Sequence, residues 1–205
     1  MNAGCIKTRS GNGTIYLENA SDAPGRGELI VDARDMSLAS ACVCSLDSAV
    51  PDRSQPFGKV TVKRNGRLQI PAGCTLKVVN GIDTTGGYIS TATTGGAIEF
   101  MPGEGGTCDV AGTLRAYSFF CTNSPNATLR FAGGAVLTNY NNGASAFQSE
   151  AGRLSMLPAT AEAKWNFDIG SGVSMEASRL AVSNCTARGP KGFELAFGMV
   201  DPGQT

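Results

Sequence analysis

The feature that most constrains this chain is a short strand-like triplet, apolar–any–apolar, that recurs with a glycine-bearing turn behind it. Leu68-Gln69-Ile70 is followed by Pro71-Ala72-Gly73-Cys74-Thr75 and then by Leu76-Lys77-Val78. Cys108-Asp109-Val110 leads through Ala111-Gly112-Thr113 to Leu114-Arg115-Ala116. Leu129-Arg130-Phe131 leads through Ala132–Ala135 to Val136-Leu137-Thr138, and Phe167-Asp168-Ile169 through Gly170-Ser171-Gly172 to Val173-Ser174-Met175. Alternation with period two puts the apolar members on one face of a strand, and glycine supplies turn angles that other residues avoid.

First triplets begin at 68, 98 (Ile98-Glu99-Phe100), 129 and 167, steps of roughly 30 to 38 residues, the range in which repeats mean stacked units. The expected fold is all-β, a parallel β-solenoid (β-helix). The alternative is an antiparallel β-sandwich, for which Asn65-Gly66 and Asn80-Gly81 would serve as hairpin turns. Residues 1–57 read as an irregular N-terminal segment or cap, with a loop at Pro51, Asp52, Ser54, Gln55 and Pro56, and residues 58–205 as the repeat-built domain. Helical composition is confined to Thr160–Trp165, too short for more than one or two turns.

Alternation predicts a core of Leu68, Ile70, Leu76, Val78, Ile98, Phe100, Val110, Leu114, Leu129, Phe131, Val136, Phe167, Ile169 and Val173. Gln69, Lys77, Glu99, Arg115, Arg130 and Asp168 then face solvent.

Only 17% of residues are charged, and 17 Lys and Arg balance 17 Asp and Glu. Phosphate neutralisation needs a basic stripe, so no nucleic-acid partner is expected. The nearest approach, Lys59, Lys63, Arg64 and Arg67, reads as a solvated strand face. No membrane span is expected, since no run nears the ~20 apolar residues a helix needs to cross. No apolar signal core opens the sequence, which is expected to be a mature form or an excised segment.

Histidine is absent, so Ser-His-Asp and Cys-His relays are impossible. With no Cys-x-x-Cys pair either, no metal site and no cofactor are expected. The seven cysteines (5, 42, 44, 74, 108, 121 and 185) leave at least one thiol free within a single chain. They read as small inward-facing core residues stacked on their equivalents rather than as a disulfide framework. Asn-x-Ser/Thr sequons stand at Asn12, Asn19, Asn126 and Asn184, and in a chain so rich in these residues chance matches are expected.

Gly66-Arg67-Leu68-Gln69-Ile70-Pro71-Ala72-Gly73-Cys74-Thr75-Leu76 and Gly112-Thr113-Leu114 have the form Gly-x-Leu-x-(apolar)-x-x-Gly-x-x-Leu in whole or in part. In this the chain resembles the β-helical, adhesin-like passenger segments of bacterial autotransporter-type surface proteins, over about residues 57–185. The resemblance implies a surface-exposed stalk or adhesive domain. Seven cysteines depart from the cysteine-poor pattern of passengers that cross an outer membrane.

The function expected is a non-catalytic, secreted or cell-surface structural or adhesive domain with no catalytic residues. Its expected partner is a glycan or other surface ligand, held on Trp165, Tyr140, Tyr117 and Tyr88 as stacking platforms. Phe119 and Phe167 read as core. One alternative is a carbohydrate-active β-helix enzyme, a polysaccharide lyase or hydrolase. Its best acid–base group is Asp32-Ala33-Arg34-Asp35, with Asp32 and Arg34 on one face if extended. The other is a self-assembling fibre or virion appendage subunit, associating through its solenoid ends. Gly86-Gly87 and Gly103-Glu104-Gly105-Gly106 read as turns, because no helix follows to cradle an anion.

Overall fold

The computed structural model describes residues 13–23, 26–34, 44–46, 56–122, 124–149, 151–190 and, for the backbone, 194–197. The expected loop over Pro51–Gln55, together with Cys5, Asn12, Asp35 and Cys42, lies outside the described residues. Among the described residues the chain is almost wholly strand, wound into a parallel β-solenoid of about six turns. No described helix is long and apolar enough to cross a membrane. Ala161 and Glu162 form a turn rather than helix.

The strands fall into coils. The first holds β1 (Gly13–Leu17), β2 (Glu28–Asp32) and β3 (Cys44–Ser45). The second holds β4 (Phe57–Lys63) and β5 (Arg67–Ile70), and the third β6 (Thr75–Asp83) and β7 (Tyr88–Thr91). Next come β8 (Ala97–Phe100), β9 (Thr107–Ala111) and β10 (Thr113–Ala116), then β11 (Ser118–Cys121), β12 (Thr128–Phe131) and β13 (Val136–Asn139). The sixth coil is β14 (Ala144–Gln148), β15 (Leu154–Pro158) and β16 (Trp165–Asp168). The last is β17 (Ser174–Ser178), β18 (Leu180–Val182) and β19 (Cys185–Arg188), with β20 (Glu194–Phe197) behind it.

Equivalent strands pair in parallel to make three faces. Face A is the ladder β3-β5-β7-β10-β13-β16-β19. The long β6 feeds two ladders at once: its first half pairs β8 and its second half β9. Face B therefore runs β6-β8-β11-β14-β17, and face C β4-β6-β9-β12-β15-β18. Parallel pairing already joins β2 to β4 and β3 to β5, so the stack reaches back into the first 57 residues. Two strands are antiparallel, β1 on β2 and β20 on β19.

The core is a set of one-residue-wide stacks. On face A, Cys44, Leu68, Ile89, Leu114, Leu137, Phe167 and Ala187 lie one above another, 20 to 30 residues apart in the chain. On face C, Val60, Ile82, Val110 and Phe131 do the same. All are buried. Burying each such large aliphatic or aromatic side chain contributes about 1.5 to 3 kcal/mol, and the strand ladder supplies the backbone hydrogen bonds. The Phe131 and Trp165 rings stack at 3.9 Å between centroids, 8° from parallel.

The true coil is shorter than the ~30-residue step seen in the sequence. Leu68 lies on face A, Ile98 on face B, Leu129 on face C and Phe167 on face A again. Each step is one full turn plus one face.

Most of the expected core is buried, but three residues are not. Val136 faces outward, because stacking of Leu137 on Leu114 fixes the register of β13. Ile169 follows the end of β16 and is partly buried against the core, and Val173 is half-buried beside the exposed β17. Among the described residues the expected cysteine stack is also absent. Cys44, Cys74, Cys108, Cys121 and Cys185 are buried, but each sits at a different level or face, and Cys108 stacks on Leu129 and Cys185 on Trp165.

Burial pushes the thiols up: Cys44 and Cys108 rise, Cys108 also feeling Cys121, and Cys121 and Cys185 reach about 12. Iodoacetamide at pH 8 should leave Cys108, Cys121 and Cys185 unmodified in native protein and alkylate them after denaturation, as mass spectrometry would read. Unfolded thiols lose their protons near 8.5, so between about pH 8.5 and 12 the unfolded chain binds fewer protons than the folded one. Stability should be full below about pH 8.5 and fall as pH rises. A Cys121→Ala/Cys185→Ala variant should show a shallower fall in its thermal midpoint.

Candidate ligand-binding face

Because β-strand side chains alternate, two buried rows of face A, through Leu114 and through Ala116, alternate with two outward rows. One outward row is Arg67, Tyr88, Thr113, Val136, Asn166 and Thr186; the other is Gln69, Ser90, Arg115, Thr138, Asp168 and Arg188. Arg67 pairs in register with Tyr88 across β5 and β7. One coil further, the Arg115 guanidinium carbon lies 5.6 Å from the centre of the Tyr88 ring, a cation–π contact. Tyr88 thus sits between two arginines.

Tyr140, just past β13, completes the group. Burial lifts its phenol to about 12, and a hydrogen bond with the Tyr88 phenol adds to the rise, so it stays neutral at physiological pH. Tyr140 also borders an open cleft of about 400 Å³, with Thr93, Thr138, Asn141, Asp168 and Ile169 around it. Its floor is held by a buried polar seam at the corner between faces A and B. There the Asn139 amide donates to Tyr117 O at 3.1 Å and Ser145 Oγ at 2.9 Å. Thr91 Oγ1 accepts from Tyr117 N at 2.7 Å, and Ser145 Oγ from Phe119 N at 2.9 Å.

The charges are unevenly distributed. The described ion pairs are Lys59–Glu28 at 3.6 Å, Arg64–Asp32, Lys77–Glu99 at 3.8 Å and Arg130–Asp109 at 2.5 Å. All lie on the larger sheet or in the turn after β4. On face A, Arg67 and Arg115 have no ion pair or side-chain hydrogen bond to any described residue. The basic group seen in the sequence is thereby split, with Lys59 and Lys63 on face C and Arg67 on face A.

Of the four expected sugar platforms, Tyr88 and Tyr140 come together. Tyr117 lies beside them at the corner, immediately after the register pair Ala116–Asn139. Trp165 does not belong to the face: it is 1% exposed, packed on Phe131, and its indole N–H donates to Ser183 O at 3.0 Å. Nor does Asp32-Ala33-Arg34 form an acid–base face. Arg34 turns out of the strand at φ 52°, and Asp32 accepts from Arg64 Nε at 2.8 Å and Arg34 N at 2.9 Å. These donors, Arg64 first, hold the Asp32 carboxyl below the usual carboxylate range.

The sequons fare similarly. Asn126 and Asn184 are corner residues at φ 55° and 49°, a conformation asparagine tolerates. Asn126 Oδ1 accepts from Arg153 N at 3.2 Å, and Asn184 Nδ2 donates to Ala161 O at 2.8 Å. Sequence reasoning placed Arg115 outward but did not join it to Arg67 and Tyr88; a coil of 20 to 25 residues, rather than about 30, aligns all three.

The fold and this outward face define the class, a parallel β-solenoid with an arginine–tyrosine platform on one side. No protein-family model, curated protein or solved structure matches the chain.

Proposed function

We propose that this is a non-catalytic binding domain of a secreted or surface-exposed protein, and that it holds a glycan along face A. The observation that carries the proposal is the convergence of Tyr88, Tyr140 and Arg115 beside an open cleft lined with hydroxyl and amide groups. Tyrosine offers an apolar ring face for sugar C–H groups and a polar tip for sugar hydroxyls. A sheet surface keeps these groups in fixed register, so little side-chain order is lost on binding. Asp168 is the one carboxylate lining the cleft, whereas glycosidases use two facing carboxyls. This supports binding over hydrolysis.

The test is a glycan array probed with native protein and with Tyr88→Ala and Tyr140→Ala. The expected result is retention of one glycan class, weakened about tenfold by each substitution, or about 1.4 kcal/mol. Thermal midpoints should fall by only about 2 to 4 °C each, since both rings are half-buried and neither belongs to the core cluster. Binding unaffected by both substitutions, or cleavage of the captured glycan, would overturn the proposal.

A further inference from the structure

Resting on the glycan reading above, we infer that the ligand of face A is an acidic polysaccharide whose carboxylate sits between Arg67 and Arg115, with a neutral sugar beside it in the cleft.

The argument starts from where charge is left unmatched. On the larger sheet Lys59, Lys77 and Arg130 each pair with a carboxylate of a neighbouring coil, and Lys63 lies in register with Asp32. Besides Arg188 at its far end, face A keeps two guanidiniums with no acidic or hydrogen-bonding partner among the described residues, Arg67 and Arg115. Both flank the same ring. Arg67 is the register partner of Tyr88, and Arg115 lies over it at 5.6 Å. Their strands, β5 and β10, are two ladder steps apart, about 10 Å. Guanidinium presents a planar fork of donors that matches a carboxylate, and a ring packed against that fork limits the rotamers it can lose on binding.

Further along the axis a carboxylate enters the row, with the exposed Arg188 as its register partner in the next coil. Asp168 is two register steps beyond Arg115 in the same outward row, at the cleft, among Thr138, Asn141 and Tyr140. A carboxylate acceptor beside hydroxyl and amide groups suits sugar hydroxyls and repels a second anion. The face therefore has an anionic subsite over Arg67, Tyr88 and Arg115 and a neutral subsite at the cleft. A polysaccharide lying along the solenoid axis reaches both.

Isothermal titration with an oligogalacturonate, its carboxyl-reduced counterpart and a sulfated galactan separates the possibilities. The carboxylated chain should bind at least tenfold tighter than the reduced one and tighter than the sulfated one. Raising the salt from about 50 to 500 mM should erase that advantage, because exposed charges are screened. Arg67→Gln and Arg115→Gln should each remove most of the preference by weakening binding of the carboxylated chain, with the thermal midpoint unchanged. Equal affinity for the carboxylated and reduced chains would overturn the acidic-ligand inference while leaving the glycan proposal standing. Preference for the sulfated chain would overturn the carboxylate assignment. Binding of none of the three, together with an empty glycan array, would overturn both.

Discussion

Leu114→Asp is expected to leave no folded protein at 25 °C. Leu114 is fully buried, stacked between Ile89 and Leu137 in the middle of face A. The substitution removes about 1.5 to 3 kcal/mol of apolar burial and places a carboxyl where the inward neighbours are aliphatic. Ionised or protonated, that group costs several kcal/mol more, against a whole-domain margin of about 5 to 15 kcal/mol. Its neighbour behaves oppositely. Arg115→Asp, on the outward row, should change stability by about half a kcal/mol or less while abolishing any preference for acidic glycan. Circular dichroism melts of the two variants check this, with Leu114→Ala as a milder companion expected to cost about 2 to 5 kcal/mol. A more damaging Arg115→Asp would mean that the inward and outward rows of β10 are exchanged.

Gly112→Ala is expected to have the next largest effect, for a backbone reason. Gly112 is the single residue between β9 and β10, at φ 80°. A Cβ there would lie 2.5 Å from both the carbonyl carbon and Oγ1 of Thr84 in the coil below. That Thr84 hydroxyl is buried and reaches the carbonyls flanking the glycine, Ala111 O at 3.2 Å and Thr113 O at 3.1 Å. The added methyl therefore strains the turn and pushes the coils apart. Together these should cost about 2 to 4 kcal/mol, a fall of about 5 to 15 °C in the thermal midpoint. Gly134→Ala isolates the first contribution. Gly134 has a similar φ of 77° but nothing within 4 Å of the added Cβ, so it should lose only about 1 kcal/mol. Equal losses would show that the close approach to Thr84 carries no cost.

What could be read in the sequence was local. Alternation in Leu68-Gln69-Ile70 and Leu129-Arg130-Phe131 places each side chain correctly, because a pleated strand leaves only two faces to choose from. Val136-Leu137-Thr138 has two apolar residues in succession, so alternation cannot decide between them; the ladder to Leu114 does. The coil length was hidden for a related reason. The triplets on the three faces look alike, so a step of one and a third turns passes for a repeat. The platform was legible as residue types but not as a place. Tyr88 and Tyr140 are 52 positions apart, and only stacking through β10 and β13 brings them together. Trp165 carried the same compositional signal as the tyrosines. Its position opposite Cys185 in the ladder turns it inward, and the carbonyl of Ser183 satisfies its N–H.

The two antiparallel strands give the molecule unlike ends. β1 lies across the first coil on the larger sheet, and β20 across the last coil on face A. A solenoid is built by repeating one translation, and each of these strands reverses its direction on a different side. At one end the larger sheet meets a reversed strand while β3 ends the face A ladder; at the other, face A meets a reversed strand while β17 and β18 end theirs. Strand polarity alone thus makes the two ends of the described stack differ in which ladders they leave open to parallel pairing.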